Sequence, residues 1–156
     1  SWLILILMSQ RCCLLSIKMQ QAGNVTEGGG LHLSCKVDGV QGQLSVTWQL
    51  KSARMASFTE IISISQEGVT EIAEEFVSRK VRVMRPATDN FTLELDEVTL
   101  SDSGVYQCAV SERKPNSKSH NQAQTTTVTV ISVGKILRHR CHDTYWMKVI
   151  FVYSFL

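Results

Sequence analysis

The sequence predicts an all-β fold, an antiparallel sandwich or barrel of short strands. Three observations support this class. The central part of the chain alternates apolar and polar residues with a period of two, in short runs that begin every ~8–15 residues. Turn-forming residues separate these runs. No segment has a convincing helical pattern, so the strands must pack against one another to bury their apolar faces.

Length and composition fit one domain with short extensions. The chain has 156 residues, and single domains commonly have about 100–200. Hydrophobic residues make up 44% and charged residues 19%, which excludes a disordered or collagen-like chain. The formal net charge of +2 is too small for the electrostatic footprint of a nucleic-acid-binding protein. We therefore expect a globular domain without a nucleic-acid partner.

The first two predicted strands lie on either side of a glycine-containing turn. Residues 31–37 place four apolar side chains on one face, and residues 46–50 place three there. Gly39 and Gly42 lie between them, and three consecutive glycines precede the first run. Two strands with so short a link are predicted to be neighbours in the fold.

The next two segments are predicted to form a strand and a ragged edge strand. Residues 58–65 are rich in isoleucine and lead into a tight turn at residues 66–68. Residues 69–76 follow as the edge strand, although their apolar spacing is also compatible with a helix.

Alternation continues through the second half of the central region. A strand around Val81 and Val83 is predicted to end at Pro86. Further strands are predicted at residues 91–95, 105–110 and 125–130, and residues 111–121 form a polar loop before the last of them.

Two cysteines occupy inward-facing positions of different predicted strands. Cys35 and Cys108 are 73 residues apart, and Trp48 follows the first of them. If the two strands lie in opposite sheets, the sulfurs can meet across the core with the indole beside them. Two buried free thiols are the alternative. The run before Cys108 reads Asp-x-Gly-x-Tyr-x-Cys, with Asp102, Gly104 and Tyr106 in its fixed positions.

Together, these residues resemble the signature of the immunoglobulin superfamily, specifically its V-type domains. The resemblance implies an immunoglobulin-like antiparallel β-sandwich of V-type, with a disulfide between Cys35 and Cys108 packed on Trp48. It implies that Tyr106 forms the tyrosine corner, and that Asp102 pairs with either Arg79 or Arg82. The interval from Trp48 to residue 91 leaves room for the two extra strands of V-type domains.

Departures from the signature indicate which members of the superfamily the chain does not resemble. The Phe/Trp-Gly-x-Gly bulge that antigen-receptor V domains use for pairing is missing, and residues 121–124 read Asn-Gln-Ala-Gln. The chain therefore does not resemble an antibody or T-cell-receptor chain. Residues 83–112 are similar to domains of the Glu-Trp-Ile group of tetraspanin-associated receptors. Those domains continue Ser-Glu-Trp, whereas here Arg113 stands in the tryptophan position.

The two ends of the chain differ in amino-acid composition from the predicted domain. We expect residues 1–16 to be an apolar extension, either a fragment end or part of a signal peptide. Residues 17–132 are the predicted domain. Residues 133–156 are basic and then apolar, which would suit a truncated membrane-proximal segment. Three cysteines lie outside the domain: Cys12, Cys13 and Cys141. We expect the adjacent Cys12 and Cys13 to be unpaired thiols, with intermolecular pairing as the alternative.

Catalysis and cofactor binding have little support in the sequence. Nucleophile-elbow, phosphate-loop and zinc-protease motifs are missing, so we predict neither an enzyme nor a cofactor. His139, Cys141 and His142 are too closely spaced to form a credible metal site. Asn24 and Asn90 each begin a sequon for N-linked glycosylation.

The family resemblance implies a recognition or adhesion module on the extracellular side of the plasma membrane. Its partner would be a protein on a cell surface or on the same membrane, and any membrane span would be incomplete in this chain. A soluble secreted binding protein and a spacer domain in a tandem array are the alternatives.

The predicted binding surface combines one sheet face with the polar loop. The face would be small and polar, and the loop carries three cations against the single acid Glu112. The candidate contact residues are Gln49, Gln107, Arg113, Lys114 and Lys118, and the predicted face also includes Thr47, Ala109, Thr127 and Thr129.

Overall fold

The computed structural model describes residues 15–21 and 24–132, in which two antiparallel sheets pack face to face. Alternation of buried and exposed residues defines the longer strands. Short 3₁₀ helices occupy Glu74–Phe76 and Leu100–Asp102. The strands are β1 Ser16–Gln21, β2 Val25–Thr26, β3 Leu31–Asp38, β4 Gln43–Ser52, β5 Thr59–Ile64, β6 Thr70–Ile72, β7 Val81–Ala87, β8 Asn90–Leu95, β9 Gly104–Arg113, β10 His120–Val128 and β11 Val130–Ile131.

One sheet has four strands in the order β1-β3-β8-β7, and the other has five in the order β10-β9-β4-β5-β6. A short parallel pairing of β11 with β2 joins the first part of the chain to its last strand. The predicted all-β, V-type antiparallel sandwich is confirmed, including the two additional strands, β5 and β6.

The core lies between the inner faces of the two sheets. Along β3 and β9, every second residue is buried, because successive side chains of a strand point to opposite faces. Trp48, Tyr106 and Phe91 are the largest side chains with essentially no exposed surface. The inner positions predicted from alternation therefore form the core.

A disulfide crosses from one sheet to the other at the centre of this core. It joins Cys35 on β3 to Cys108 on β9, with Cα atoms 6.5 Å apart. Trp48 is directly opposite Cys108 in the register of β4 and β9, and its side chain is fully buried. Closing so long a loop stabilises the fold by about 4 kcal/mol on the chain-entropy account.

A hydrogen-bonded corner precedes β9. Asp102 accepts two hydrogen bonds from the Arg79 guanidinium, at 2.6 and 2.7 Å, and one from the Thr99 amide at 2.7 Å. The Tyr106 hydroxyl donates to the Asp102 backbone carbonyl at 2.7 Å, as a tyrosine corner requires. Burial raises the pKa of Asp102, but the bonds from Arg79 and Thr99 outweigh it and hold the pKa below its usual value. Arg82 instead pairs with Glu94 on the exposed side of the four-stranded sheet.

Gly104 begins β9 where two backbones come unusually close. A Cβ atom at this position would lie 2.5 Å from the backbone oxygen of Lys51. Only glycine fits this approach, which explains the glycine of the Asp-x-Gly-x-Tyr-x-Cys run.

The first two predicted strands, β3 and β4, are not neighbours in a sheet but lie in opposite sheets. Two strand predictions in the middle of the domain were wrong in extent. Residues 69–76 were predicted as one strand, but β6 ends at Ile72 and a 3₁₀ helix follows, which buries Phe76. β7 continues past Pro86 to Ala87, because it is an edge strand and its register shifts between Met84 and Ala87. At such an edge the missing proline N–H removes no necessary ladder bond.

The predicted loop at residues 111–121 is mostly a hairpin. β9 runs to Arg113 and β10 begins at His120, so only residues 114–119 connect them. The ladder between β9 and β10 extends as far as the pair His120 and Glu112. Thr129 was predicted on the last strand, but it lies between β10 and β11, outside the ladder.

We expect Arg79→Gln to lower the free energy of unfolding by about 3 kcal/mol, because it leaves the buried Asp102 carboxylate without its cation. Arg82→Gln is the matched control and should cost less than about 1 kcal/mol, since that arginine is exposed. Urea denaturation at neutral pH measures both.

The effect of Arg79→Gln should depend on pH. The lowered pKa of Asp102 means that its stabilising contribution is present above its unfolded pKa and is lost as pH falls through the folded pKa. The difference between wild type and variant should therefore shrink below about pH 4. A difference that is equal for both arginines, or constant with pH, would contradict this account of the corner.

Candidate binding surface

The outer face of the five-stranded sheet is lined by small and polar side chains. Its central row crosses all five strands in register. Thr47 on β4 is opposite Ala109 on β9 and Ser63 on β5, while Ala123 on β10 and Glu71 on β6 complete the row. We call the outer surface of this sheet the polar face.

The predicted contact residues Gln49 and Gln107 meet on this face. They are opposite each other in the register of β4 and β9, and both are half-buried. Thr125 on β10 is opposite Gln107, so the glutamines form part of a second row beside the central one. Four side chains of the central row are smaller than these two glutamines and leave a lower strip across β10, β9, β4 and β5: Ala123, Ala109, Thr47 and Ser63.

Two shallow depressions lie along this strip. One has a volume of about 360 Å³ and is lined by side chains that include Ala109, Ser111 and Ala123. The other has a volume of about 390 Å³ and includes Ser63 and Glu71. Ser45 and Thr47 line both, so the two depressions lie side by side on the polar face. We refer to the pair of depressions as the trough.

The connection between β9 and β10 projects from one end of the polar face. Arg113 and Lys118 are exposed at this connection, and neither side chain has a hydrogen bond or ion pair within residues 15–21 and 24–132. Asn116 adopts a positive φ of 60°, which tightens the turn. These two cations are therefore available to a partner.

Lys114 differs from the other loop cations because it is engaged within the domain. Its ammonium donates to the side-chain oxygen of Gln41 at 2.7 Å and lies 3.7 Å from a carboxylate oxygen of Glu112. Lys114 was predicted as a contact residue, and in the structure its ammonium also has partners within the domain.

Glu112 was not predicted to be buried, but its side chain is only 2% exposed. The signal was present, because Glu112 continues the inward-facing series of Tyr106, Cys108 and Val110 at the same two-residue period. Its carboxylate accepts hydrogen bonds from the backbone amides of Gln41 and Gly42. Burial raises the pKa of Glu112, but these bonds and Lys114 together lower it below the usual value.

A polar groove of about 520 Å³ opens beside this loop. Arg113 and Lys114 line one side, and Gln66 and Glu67 from the turn between β5 and β6 line the other. Both signs of charge thus face the groove, at the end of the polar face nearest the loop.

The outer face of the four-stranded sheet has a different character. Glu94 lies between His32 and Arg82 and interacts with both. Ser34 donates a hydrogen bond to the side-chain oxygen of Asn90 at 2.9 Å, and Thr92 is opposite Ser34 in the register. Polar groups around Glu94 and Asn90 are therefore paired with one another, whereas Lys18 and Lys36 are neighbours on the same face and have no ion pair among the described residues.

Within the described ranges, no group of three or more His, Cys, Asp or Glu side chains is placed to hold a metal ion. The same part of the chain contains no helix long and apolar enough to cross a bilayer. The residues weighed as a metal site in the sequence analysis, and the three cysteines outside the domain, lie outside the described residues.

Comparisons with known proteins agree with this architecture. The family model for the immunoglobulin V-set domain matches residues 19–131. Immunoglobulin superfamily member 3 of Xenopus laevis is 32% identical over 101 residues, which cover 60% of this chain and 9% of that protein. Immunoglobulin superfamily member 2 of Mus musculus is 32% identical over 121 residues, which cover 73% of this chain and 12% of the relative.

CD160 antigen of Mus musculus is 27% identical over 150 residues, which cover 91% of this chain and 80% of that protein. The chain spans about a tenth of the length of the two immunoglobulin superfamily members. None of these names refers to the Glu-Trp-Ile group, so that finer resemblance stays a prediction.

Proposed function

The chain belongs to the immunoglobulin V-set domain family, and on this premise we propose that it is an extracellular recognition domain of a cell-surface protein. It binds a protein partner, on the same membrane or on another cell, through the polar face and the loop between β9 and β10. The observation that carries the proposal is the trough on this sheet, together with Arg113 and Lys118 of the adjoining loop, which are exposed and have no ion pair among the described residues.

The composition of the trough indicates what its partner must supply. Alanine, serine and threonine offer little of the aromatic and arginine surface that dominates binding energy at interfaces. They do offer space and hydrogen-bonding groups. A complementary partner therefore presents large side chains that enter the trough, together with acidic groups that face Arg113 and Lys118.

The four-stranded sheet is the less suitable face for a partner. Glu94 already pairs with Arg82 and contacts His32, so binding over these residues would have to displace existing interactions, although Lys18 and Lys36 on the same face are exposed and have no ion pair among the described residues. Asn90 and Thr92 both lie on the outer side of β8, and Asn24 is exposed just before β2. We propose that both asparagines carry N-linked glycans, which would cover this side and leave the polar face open.

The inter-sheet disulfide supports the extracellular placement. Such bonds persist in oxidising compartments and are rare in the cytosol. Two of the relatives named above are members of the immunoglobulin superfamily, which also supports a recognition role. A non-catalytic recognition module agrees with both observations.

We expect two sets of changes to weaken binding of the domain to its partner. Ala109→Arg fills the trough, and the double variant Arg113→Glu/Lys118→Glu reverses the loop charge. Each should reduce binding by about tenfold or more, because the first places a bulky cation in the trough and the second turns attraction for acidic groups of the partner into repulsion. The measurement is staining of intact cells by the multimerised domain, on a cell line that the wild-type domain stains.

Two variants serve as matched controls. Gln20→Arg adds the same side chain on exposed β1 of the other sheet, and Arg54→Glu reverses a charge at the turn after β4. Both should stain as wild type does. Equal staining by all variants would contradict the proposed surface, and loss of staining only with Gln20→Arg would place the partner on the opposite sheet.

We also expect domain produced in mammalian cells to carry a glycan at Asn90. Enzymatic removal of N-linked glycans should lower the mass of the peptide containing Asn90, and Asn90→Gln should abolish that change without altering cell staining. An unmodified Asn90 peptide in secreted protein would contradict the glycan at this position.

A further inference from the structure

A carboxylate buried at the base of the β9–β10 loop needs an explanation. The side chain of Glu112 has only 2% of its surface exposed, although an isolated buried charge is costly. The fold could place an apolar residue here, since Val110 occupies the preceding inward position on the same strand. The glutamate is therefore expected to make interactions that an apolar side chain cannot make.

Those interactions reach across to the loop between β3 and β4. One oxygen of Glu112, Oε2, accepts hydrogen bonds from the amides of Gln41 at 2.6 Å and Gly42 at 3.1 Å. These residues precede Glu112 by 71 and 70 positions, so the bonds tie together distant parts of the chain. Hydrogen bonds to an ionised acceptor are roughly twice as strong as those between neutral groups.

Lys114 completes the arrangement from the other side. Its Nζ atom lies 3.7 Å from Oε1 of Glu112 and donates to the side chain of Gln41 at 2.7 Å. The lysine therefore offsets the carboxylate charge and contacts the same loop. Arg113, between the two, is left exposed and points to the groove described above.

Gly42 shows how closely the two loops approach. A Cβ atom at this position would lie 2.4 Å from the backbone oxygen of Arg113. The loop backbone thus packs directly against the hairpin backbone, and the ladder of β4 with β9 begins at the next residue, Gln43 opposite Arg113. A side chain at residue 42 would push the loops apart.

From these contacts we infer that Glu112 is a positioning residue, which holds the β3–β4 loop and the β9–β10 hairpin as one rigid rim at the end of the polar face. The rim presents Arg113 in a fixed position. A role of the rim in binding rests on the proposed function, whereas the rim itself follows from the contacts alone.

Amide hydrogen exchange of the isotope-labelled domain tests the inference directly. The amides of Gln41 and Gly42 should be protected in the wild type. Glu112→Ala should accelerate their exchange by about tenfold to a hundredfold, the loss expected for hydrogen bonds to a charged group. Glu67→Gln, an exposed acid across the groove, is the control and should leave both amides unchanged.

Two milder variants separate charge from hydrogen bonding. In Glu112→Gln, the carbonyl oxygen can take the place of Oε2, but the amide nitrogen then faces the Lys114 ammonium. We expect a smaller acceleration than for Glu112→Ala. Lys114→Met should accelerate exchange at the same two amides by less still. These variants keep the test valid if Glu112→Ala does not fold.

Binding to the cell line used above distinguishes the two proposals. Accelerated exchange together with weaker staining in Glu112→Gln supports both the rim and its role in recognition. Accelerated exchange with unchanged staining supports the rim and overturns its role in recognition. Unchanged exchange at Gln41 and Gly42 in the Glu112 variants overturns the inference, whatever the staining.

Discussion

The disulfide between Cys35 and Cys108 is the constraint on which the rest of this structure depends. It fixes β3 of one sheet against β9 of the other, and Trp48 packs beside it from β4. Once these three strands are fixed, the two-residue period of each strand decides which side chains enter the core. The same period decides which side chains form the outer faces, so the binding surface follows from the core.

Strand β9 shows this division most clearly. Its inward residues Tyr106, Cys108 and Glu112 form, in order, the corner with Asp102, the inter-sheet bond and the rim between loops. Its outward residues include Gln107, Ala109 and Ser111 of the polar face, and the last two line the trough. One strand therefore carries the anchors of the domain on one side and the proposed contact surface on the other.

Much of the fold could be predicted from the sequence, because alternation and the Asp-x-Gly-x-Tyr-x-Cys run are local patterns. Strand ends were less predictable, since they depend on partners elsewhere in the chain. β7 passes Pro86 because, among the described residues, it is the edge strand of its sheet and needs no ladder bond on its outer side. The choice between Arg79 and Arg82 likewise required the position of Asp102 in space, which no local pattern contains.

The candidate site was predictable in part for the same reason. Gln49 and Gln107 lie at outward positions of alternating strands, and the structure brings them together. Lys114 resembled a free loop cation because its partner, Gln41, is 73 residues away. Glu112 could have been identified, because it falls in the inward series of β9.

Disulfide mapping by mass spectrometry tests the central claim most directly, with protein secreted from mammalian cells and digested without reduction. The account predicts a linked pair of peptides that contain Cys35 and Cys108, and no alkylation of either cysteine in the native protein. Alkylation of both cysteines before reduction would contradict it, because the sheets would then lack the covalent tie on which the sandwich and its binding face depend.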